Sequence, residues 1–259
     1  MPVWESSSNS PAFAVSPSAL DTTPLDNPIW NSLLTEHARF AIGTGPARRF
    51  PPAIGPLAGM QDTSAGSYEA LRDLAGHGGT VGLFLQDLPA PPPGWTMVRD
   101  GTMYQMICVA PNLPDPASLM SGAGTGAEPQ AEIVELTTAD IPAMVELARL
   151  TEPGPFADRT PELGTFFGIR SQGRLVAMAG ERLRFSQFVE VSAVCTHPDA
   201  RGKGNGSALT TTVAQHIRRN GKTPILHLFA ANQQAFRVYA GIGFTVRRSL
   251  ELAVIRNEF

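Results

Sequence analysis

Apolar and polar positions alternate along this chain with two periods, and the period changes mark its elements. From Asn27, a residue able to cap, Trp30, Leu33, Leu34, His37, Phe40 and Ala41 recur at helical spacing behind Pro28. That pattern predicts a helix of about three to four turns. The stretch SYEALRDLAG reads as a short helix, and TVGLFL and TMYQMICVA as strands. Farther on, AEIVEL is a strand, and Thr138 caps a helix whose Ile141, Met144, Val145, Leu147 and Leu150 form one apolar stripe. TFFGIRSQGRLVAMAGERLR reads as a hairpin turning at Ser171 to Gly173, followed by the strand FVEVSAVCT. Leu209, Val213 and Ile217 form a helix stopped by Asn220 and Gly221; PILHLFA is strand, NQQAFRVYAGIG helix and FTVRRSLELAVI strand.

Two composition shifts divide the pattern. Residues 1–26 are rich in Ser, Pro and Thr and lack a period, so they are expected to be an extended or disordered lead-in without chemistry. Residues 111–130 crowd Pro, Gly, Ser and Ala together as a linker. Between and beyond lie a small α/β unit, 27–110, and a larger mixed α+β unit, 131–259.

Charge and cysteine usage narrow the function class. The 20 Lys and Arg against 23 Asp and Glu give a net charge of -3, so no global field draws in nucleic acid or an acidic membrane, and neither is an expected partner. Cys108 and Cys195 sit in separate apolar runs and read as small buried hydrophobes rather than a disulfide. The first residues lack a basic, then apolar leader, and no run is long enough to cross a bilayer, so a soluble cytoplasmic chain is expected. The five histidines show no paired ligand spacing, and no metal is expected.

Candidate chemistry concentrates in HPDARGKGNGS, between a strand and a helix. Its glycines permit a sharp bend that aims several N–H groups one way at a helix start, where the helix end adds about half a positive charge. Arg201 and Lys203 contribute full charges, so the turn is suited to an anion such as a diphosphate. It is not a nucleotide P-loop, because His216 stands where the first glycine before Gly221, Lys222 and Thr223 would be needed. A dinucleotide fingerprint counted from Gly202 and Gly204 fails at Ser207.

Arg201, Gly204 and Gly206 spell [Q/R]xxGx[G/A], and Asn232, Ala235, Tyr239, Gly243 and Phe244 spell NxxAxxxYxxxGF. In that order and spacing they resemble the GCN5-related N-acetyltransferases (GNAT), and EVSAVCTHPDARGKG resembles their FR47-like branch. The resemblance covers residues 131–259. It implies a mixed, mostly antiparallel twisted sheet flanked by helices, with residues 27–110 as a smaller added unit.

It also implies a co-substrate, acetyl-CoA. The backbone of Val194, Cys195 and Thr196 would hold the pantetheine and acetyl carbonyl, and Arg201, Gly202, Lys203, Gly204, Asn205, Gly206 and Ser207 the pyrophosphate, with Asn232 bordering the site. Tyr239, two helical turns after Asn232, matches the family's general acid. For the base, Glu190, read as sharing a strand face with Val194, and His227 both qualify, and water is a third option. Cys195 alternates onto the face of Val189, Val191 and Ala193 and reads as core rather than nucleophile. In the loop TEPGPFADRTPELG, Glu152, Asp158 and Glu162 offer charge to a cationic acceptor, and Phe156 an apolar surface. The function implied is acetyl transfer to a primary amine of a small molecule, amino acid or peptide. The alternatives are an acetyl-CoA-binding or sensing module without turnover, and a transferase for a longer acyl-CoA. The first 130 residues are open to covering the acceptor cleft, extending the sheet or forming a homodimer contact.

Overall fold

A computed structural model describes residues 20–120 and 132–259. The expected lead-in up to residue 19, and the linker from 121 with residue 131, lie outside the described residues.

Among the described residues ten strands and five helices follow one another: α1 Pro28–Leu34, β1 Ala47–Arg49, β2 Ala58–Met60, α2 Ala65–Ala75, β3 Thr80–Leu85, β4 Trp95–Ile107, β5 Ile133–Leu136, α3 Ile141–Thr151, β6 Phe166–Ser171, β7 Arg174–Phe185, β8 Phe188–Thr196, α4 Asn205–Arg219, β9 Thr223–Phe229, α5 Gln233–Ile242 and β10 Thr245–Asn257. β1 and β2 form a small ribbon, and the other strands make one eight-stranded sheet in the order β3-β10-β4-β9-β8-β7-β6-β5. β8 and β9 are its parallel pair, and the remaining neighbours run antiparallel. The mixed, mostly antiparallel sheet flanked by helices is therefore as the resemblance implied.

β4 comes from the first half of the chain yet lies between β9 and β10 from the second. The N-terminal segment thus supplies two strands of the same sheet, β3 and β4. Its core is continuous as well. Leu25, Ile29 and Leu33 pack with Phe185, Phe188 and Ile225 on one face. Leu25, within the stretch expected to be an extended lead-in, is fully buried, and Thr23–Asp26 form a 3-10 turn.

The two faces follow from strand alternation. α4 and α5 cover Phe167, Ala177, Val189, Val191, Leu226 and Leu228 on one side. α3 lies on the opposite side over Phe166, Met178 and Cys195, the face that α1 also covers. Helix α1 is shorter than its period suggests, because after Leu34 the chain leaves the helical region at Thr35. His37 then folds back onto Ser32 with its N–H and continues as a 3-10 turn. Thr138 does not cap α3: Thr137 caps a 3-10 turn over Thr138–Asp140 in a capping box with Asp140, and Asp140 then stands at the N-cap of α3. Cys108 and Cys195 are both free and buried. No helix among the described residues is long and apolar enough to cross a membrane.

Candidate active site

β8 and β9 pair only through Phe188–Glu190 and Thr223–Ile225. Beyond that the strands part, β8 running on to Thr196 and β9 to Phe229. The β8 main chain facing β9 is therefore left without ladder partners, which opens a wedge in the middle of the sheet. A bulge sharpens it. Met178 pairs with Cys195 and Gly180 with Ser192, so Ala179 alone faces both Ala193 and Val194. Ala193 takes a left-handed φ of 52°, which costs a residue with a Cβ of the order of 1 kcal/mol and marks a position where the surrounding structure imposes strain.

The bulge reverses the strand's parity. Val189 and Val191 face α4, but after Ala193 it is Val194 that joins them, and Cys195 turns to the α3 face. Two expectations change accordingly. Glu190 does not share a face with Val194, and Cys195 is core on the side opposite Val189 and Val191. Burial pushes the Cys195 thiol up to about 11, so it stays a protonated hydrophobe rather than a nucleophile.

At the end of β8 the glycine turn feeds α4. Gly202 and Gly204 have φ of 77° and 78°, values that favour glycine. The first helical bond of α4 runs from Ala208 N–H to the Gly204 carbonyl. The N–H groups of Asn205, Gly206 and Ser207 therefore point out of the helix start, without a partner among the described residues. The two motif glycines do different work. A Cβ on Gly204 would sit 1.8 Å from the Leu119 carbonyl oxygen, so this glycine accommodates the segment running along α4. A Cβ on Gly206 would meet only Val194 and Thr196, each at 3.9 Å, so the space before Gly206 opens onto the end of β8. Asn205 is buried with its side chain on the Ala200 carbonyl, and Arg201 Nε donates to the Thr196 carbonyl at 3.3 Å. Lys203 is exposed.

α5 brings Tyr239 to the same region, packed against the α4 face of the core. Burial, with a smaller contribution from Cys195, pushes its phenol up to about 12, so it carries its proton at any physiological pH. Asn232 caps α5, its Oδ1 accepting from Ala235 N–H at 3.0 Å.

The FR47-like protein family model matches residues 166–252, which hold the wedge, the glycine turn and Tyr239. A solved chain from Novosphingobium aromaticivorans, assigned to the GNAT family, is 36% identical over 91% of this chain and 99% of that one, with a TM-score of 0.79. The chain belongs to the GNAT family. A GCN5-related N-acetyltransferase from Kribbella flavida, 15% identical over 88% of this chain and 93% of that one, shares the fold at a TM-score of 0.56. So does a Drosophila protein, at 15% identity over 78% of this chain and 70% of its own and a TM-score of 0.52. No curated protein matches the chain.

In this GNAT chain the two base candidates are bound to each other. Glu190 accepts from Arg182 through both oxygens, at 2.8 Å from Nε and 2.6 Å from Nη2, and its Oε1 lies 2.7 Å from His227 Nδ1. On the other side, His227 Nε2 lies 3.0 Å from Gln105 Nε2. The orientation of Gln105 is fixed independently, since its Nε2 donates to the Leu25 carbonyl and its Oε1 accepts from Arg247. The Gln105 amide therefore donates to an unprotonated His227 Nε2, and the ring proton sits on Nδ1 and is given to Glu190. Arg247 ends the series on Asp26.

Arg247, Gln105, His227, Glu190 and Arg182 stand on β10, β4, β9, β8 and β7, five neighbouring strands in sheet order. The result is a polar ladder across the α1 face that crosses the wedge where its strands begin to part. Burial alone would raise the Glu190 carboxyl, but the Arg182 guanidinium and His227 hold it down at about 2. His227 keeps no free lone pair for a substrate proton, and Glu190, with three donors on its carboxylate and its acidity raised by Arg182, is a weak acceptor for one.

Two adjoining small hollows, each with about 10 Å³ of free space, room for about one water, lie beside the bulge. The first is bounded by Ser192, Ala193, Glu181, Phe156 and Phe166. The second is bounded by Phe50, Ile54, Gly55, Leu57 and Leu163, and Pro155, Thr160 and Arg182 wall both. The N-terminal segment pins this loop: Thr160 Oγ1 donates to the Ile54 carbonyl at 2.6 Å, and Arg159 N–H to that of Ala53 at 3.1 Å. Of the acceptor-side expectations, Phe156 lines the first hollow and packs edge-on against Phe166. The loop acids do not: Glu152 and Asp158 are exposed, and Glu162 pairs with Arg159. Sequence reading missed Arg182, Gln105 and the segment 50–57. The available signal was the pair Glu181 and Arg182 inside an otherwise apolar strand run, since charges there require buried partners.

Proposed function

We propose that this GNAT protein transfers an acetyl group from acetyl-CoA to a primary amine, by direct attack and without a covalent enzyme intermediate. The observation that carries the reading is the wedge between β8 and β9, which ends at the outward-facing N–H groups of Asn205, Gly206 and Ser207. The residues fit the co-substrate. Unpaired β8 main chain from Val191 to Cys195 suits the amide groups of pantetheine, and the opening before Gly206 lets a diphosphate approach the start of α4, with Arg201 and Lys203 adding charge.

Acetyl-CoA supplies an activated thioester carbonyl, and the chain's own groups do the rest. A β8 N–H at Val194 or Cys195 donates to the carbonyl oxygen as charge develops on it, a contribution that is large in a water-poor cleft. The neutral amine, placed in the hollow beside Ala193, forms the new C–N bond as the C–S bond breaks. Tyr239, protonated throughout, gives its proton to the departing sulfur. The amine's surplus proton leaves to water, because Glu190 and His227 are committed to the ladder.

The test is release of free thiol by purified protein with acetyl-CoA and a panel of amines, alongside equilibrium dialysis of CoA. Thiol release that depends on the amine supports the transferase. Retention of CoA with no release for any amine supports a binding module instead, and failure to retain CoA removes both readings.

A further inference from the structure

Arg182 is the charged group common to both hollows, and its fork is only half used. Nε and Nη2 are committed to Glu190, while Nη1 has no hydrogen-bond partner among the described residues. The side chain is 16% exposed, its surface bordering the two hollows, and its position is fixed by Glu190 below and by Phe84, whose ring lies 5.6 Å from the guanidinium carbon. An Arg182 held by four neighbouring rungs of a buried ladder cannot turn away from the cleft. A guanidinium with one edge on a buried carboxylate still presents donors along its other edge, and those donors match a second carboxylate.

The surroundings define the rest of the ligand. The second hollow is lined by Phe50, Ile54, Pro56, Leu57 and Leu163 and contains no carboxylate. Glu181, at the first hollow, already accepts from Arg184 and from Thr165 N–H. From these observations we infer that the acceptor is a small amine carrying its own carboxylate: an amino acid whose amine lies at the bulge and whose carboxylate takes the free edge of Arg182. This inference rests on the transferase reading for its chemistry, but the recognition itself can be measured without turnover.

The experiment is calorimetric titration of the CoA-loaded protein with two products of the reaction, N-acetylglycine and N-acetylglycinamide, which differ only in the carboxylate. Tighter binding of the carboxylate by about tenfold or more is expected. Equal affinities, or binding of neither, overturn the proposal whether or not the protein turns over. Replacing Arg182→Gln together with Glu190→Gln removes both charges without stranding either and brings the two affinities together. Persistence of the preference in that double variant assigns it elsewhere and also overturns the proposal. If the protein does not retain CoA, the same titrations on the free protein decide the carboxylate question while the transferase reading fails.

Discussion

Glu190 Oε1 lies 2.7 Å from His227 Nδ1, across the gap where β8 and β9 stop pairing. The contact joins the strands at the apex of the wedge, on the face away from α4. Each residue type suggests a base, yet together they cancel that role, because the imidazole proton is given to a carboxylate already paired with Arg182.

Replacing Glu190→Gln should therefore act on architecture before chemistry. It leaves Arg182 unpaired in a buried position, and a loss of about 3 kcal/mol is expected from urea unfolding. The pH dependence of kcat/KM in the wild type should rise with slope one through the pKa of the free amine, near 9 to 10, with no break near 4.5. The surviving activity of the variant should show the same limb. A limb present in the wild type and absent from the variant would restore Glu190 as the base.

Tyr239→Phe removes a proton donor without altering the ring's packing against Phe244, 6.3 Å away between centroids. A fall in kcat of an order of magnitude or more is expected, with CoA retention unchanged. Because the phenol is pushed up to about 12, no alkaline limb from this group should appear below pH 10. Equal kcat in the variant and wild type would remove Tyr239 from the mechanism.

The two motif glycines should fail differently. Gly204→Ala meets both a left-handed φ of 78° and the Leu119 carbonyl, so it should cost at least about 1 kcal/mol and lower the melting temperature. Gly206→Val meets no backbone, so it should leave stability nearly intact while weakening CoA retention about tenfold or more. A Gly206 variant that retains CoA fully would move the diphosphate away from the start of α4.

These contrasts show what the sequence made legible. The glycine turn and the α5 motif are local, each set by residues within a few positions of one another, so spacing alone placed them. The ladder is not local. Gln105 and His227 are 122 residues apart, and nothing around Gln105 distinguishes it from any polar residue on a strand. The bulge was hidden for another reason. Alternation assumes unbroken pleating, and an alanine driven to positive φ by its neighbours leaves no trace in composition, so every face assignment beyond Ala193 inverted. The insertion of β4 between β9 and β10 was equally invisible, since periodicity identifies a strand but not its neighbours.

His37 offers a measurement independent of catalysis. It is 2% exposed, with Nδ1 2.9 Å from Ser32 Oγ and Nε2 3.0 Å from the Leu163 carbonyl, and it ties α1 to the loop that walls the two hollows. Burial, reinforced by the Arg184 and Arg39 charges against Glu36 and the Leu163 carbonyl, brings its pKa down from 6.5 to about 4. In the unfolded chain the ring takes up a proton near pH 6.5, so between that value and about 4 the unfolded state binds more protons than the folded one. Stability should fall on acidification through that window, approaching 1.4 kcal/mol per pH unit. The stability held by Glu190 is lost only at lower pH, between about 4.5 and 2. His37→Gln keeps an amide to donate to Leu163 but cannot titrate, so urea midpoints at pH 7.5, 6.5, 5.5 and 4.5 should decline less steeply in the variant than in the wild type. Parallel slopes in the two proteins would mean that His37 is already protonated in the folded state.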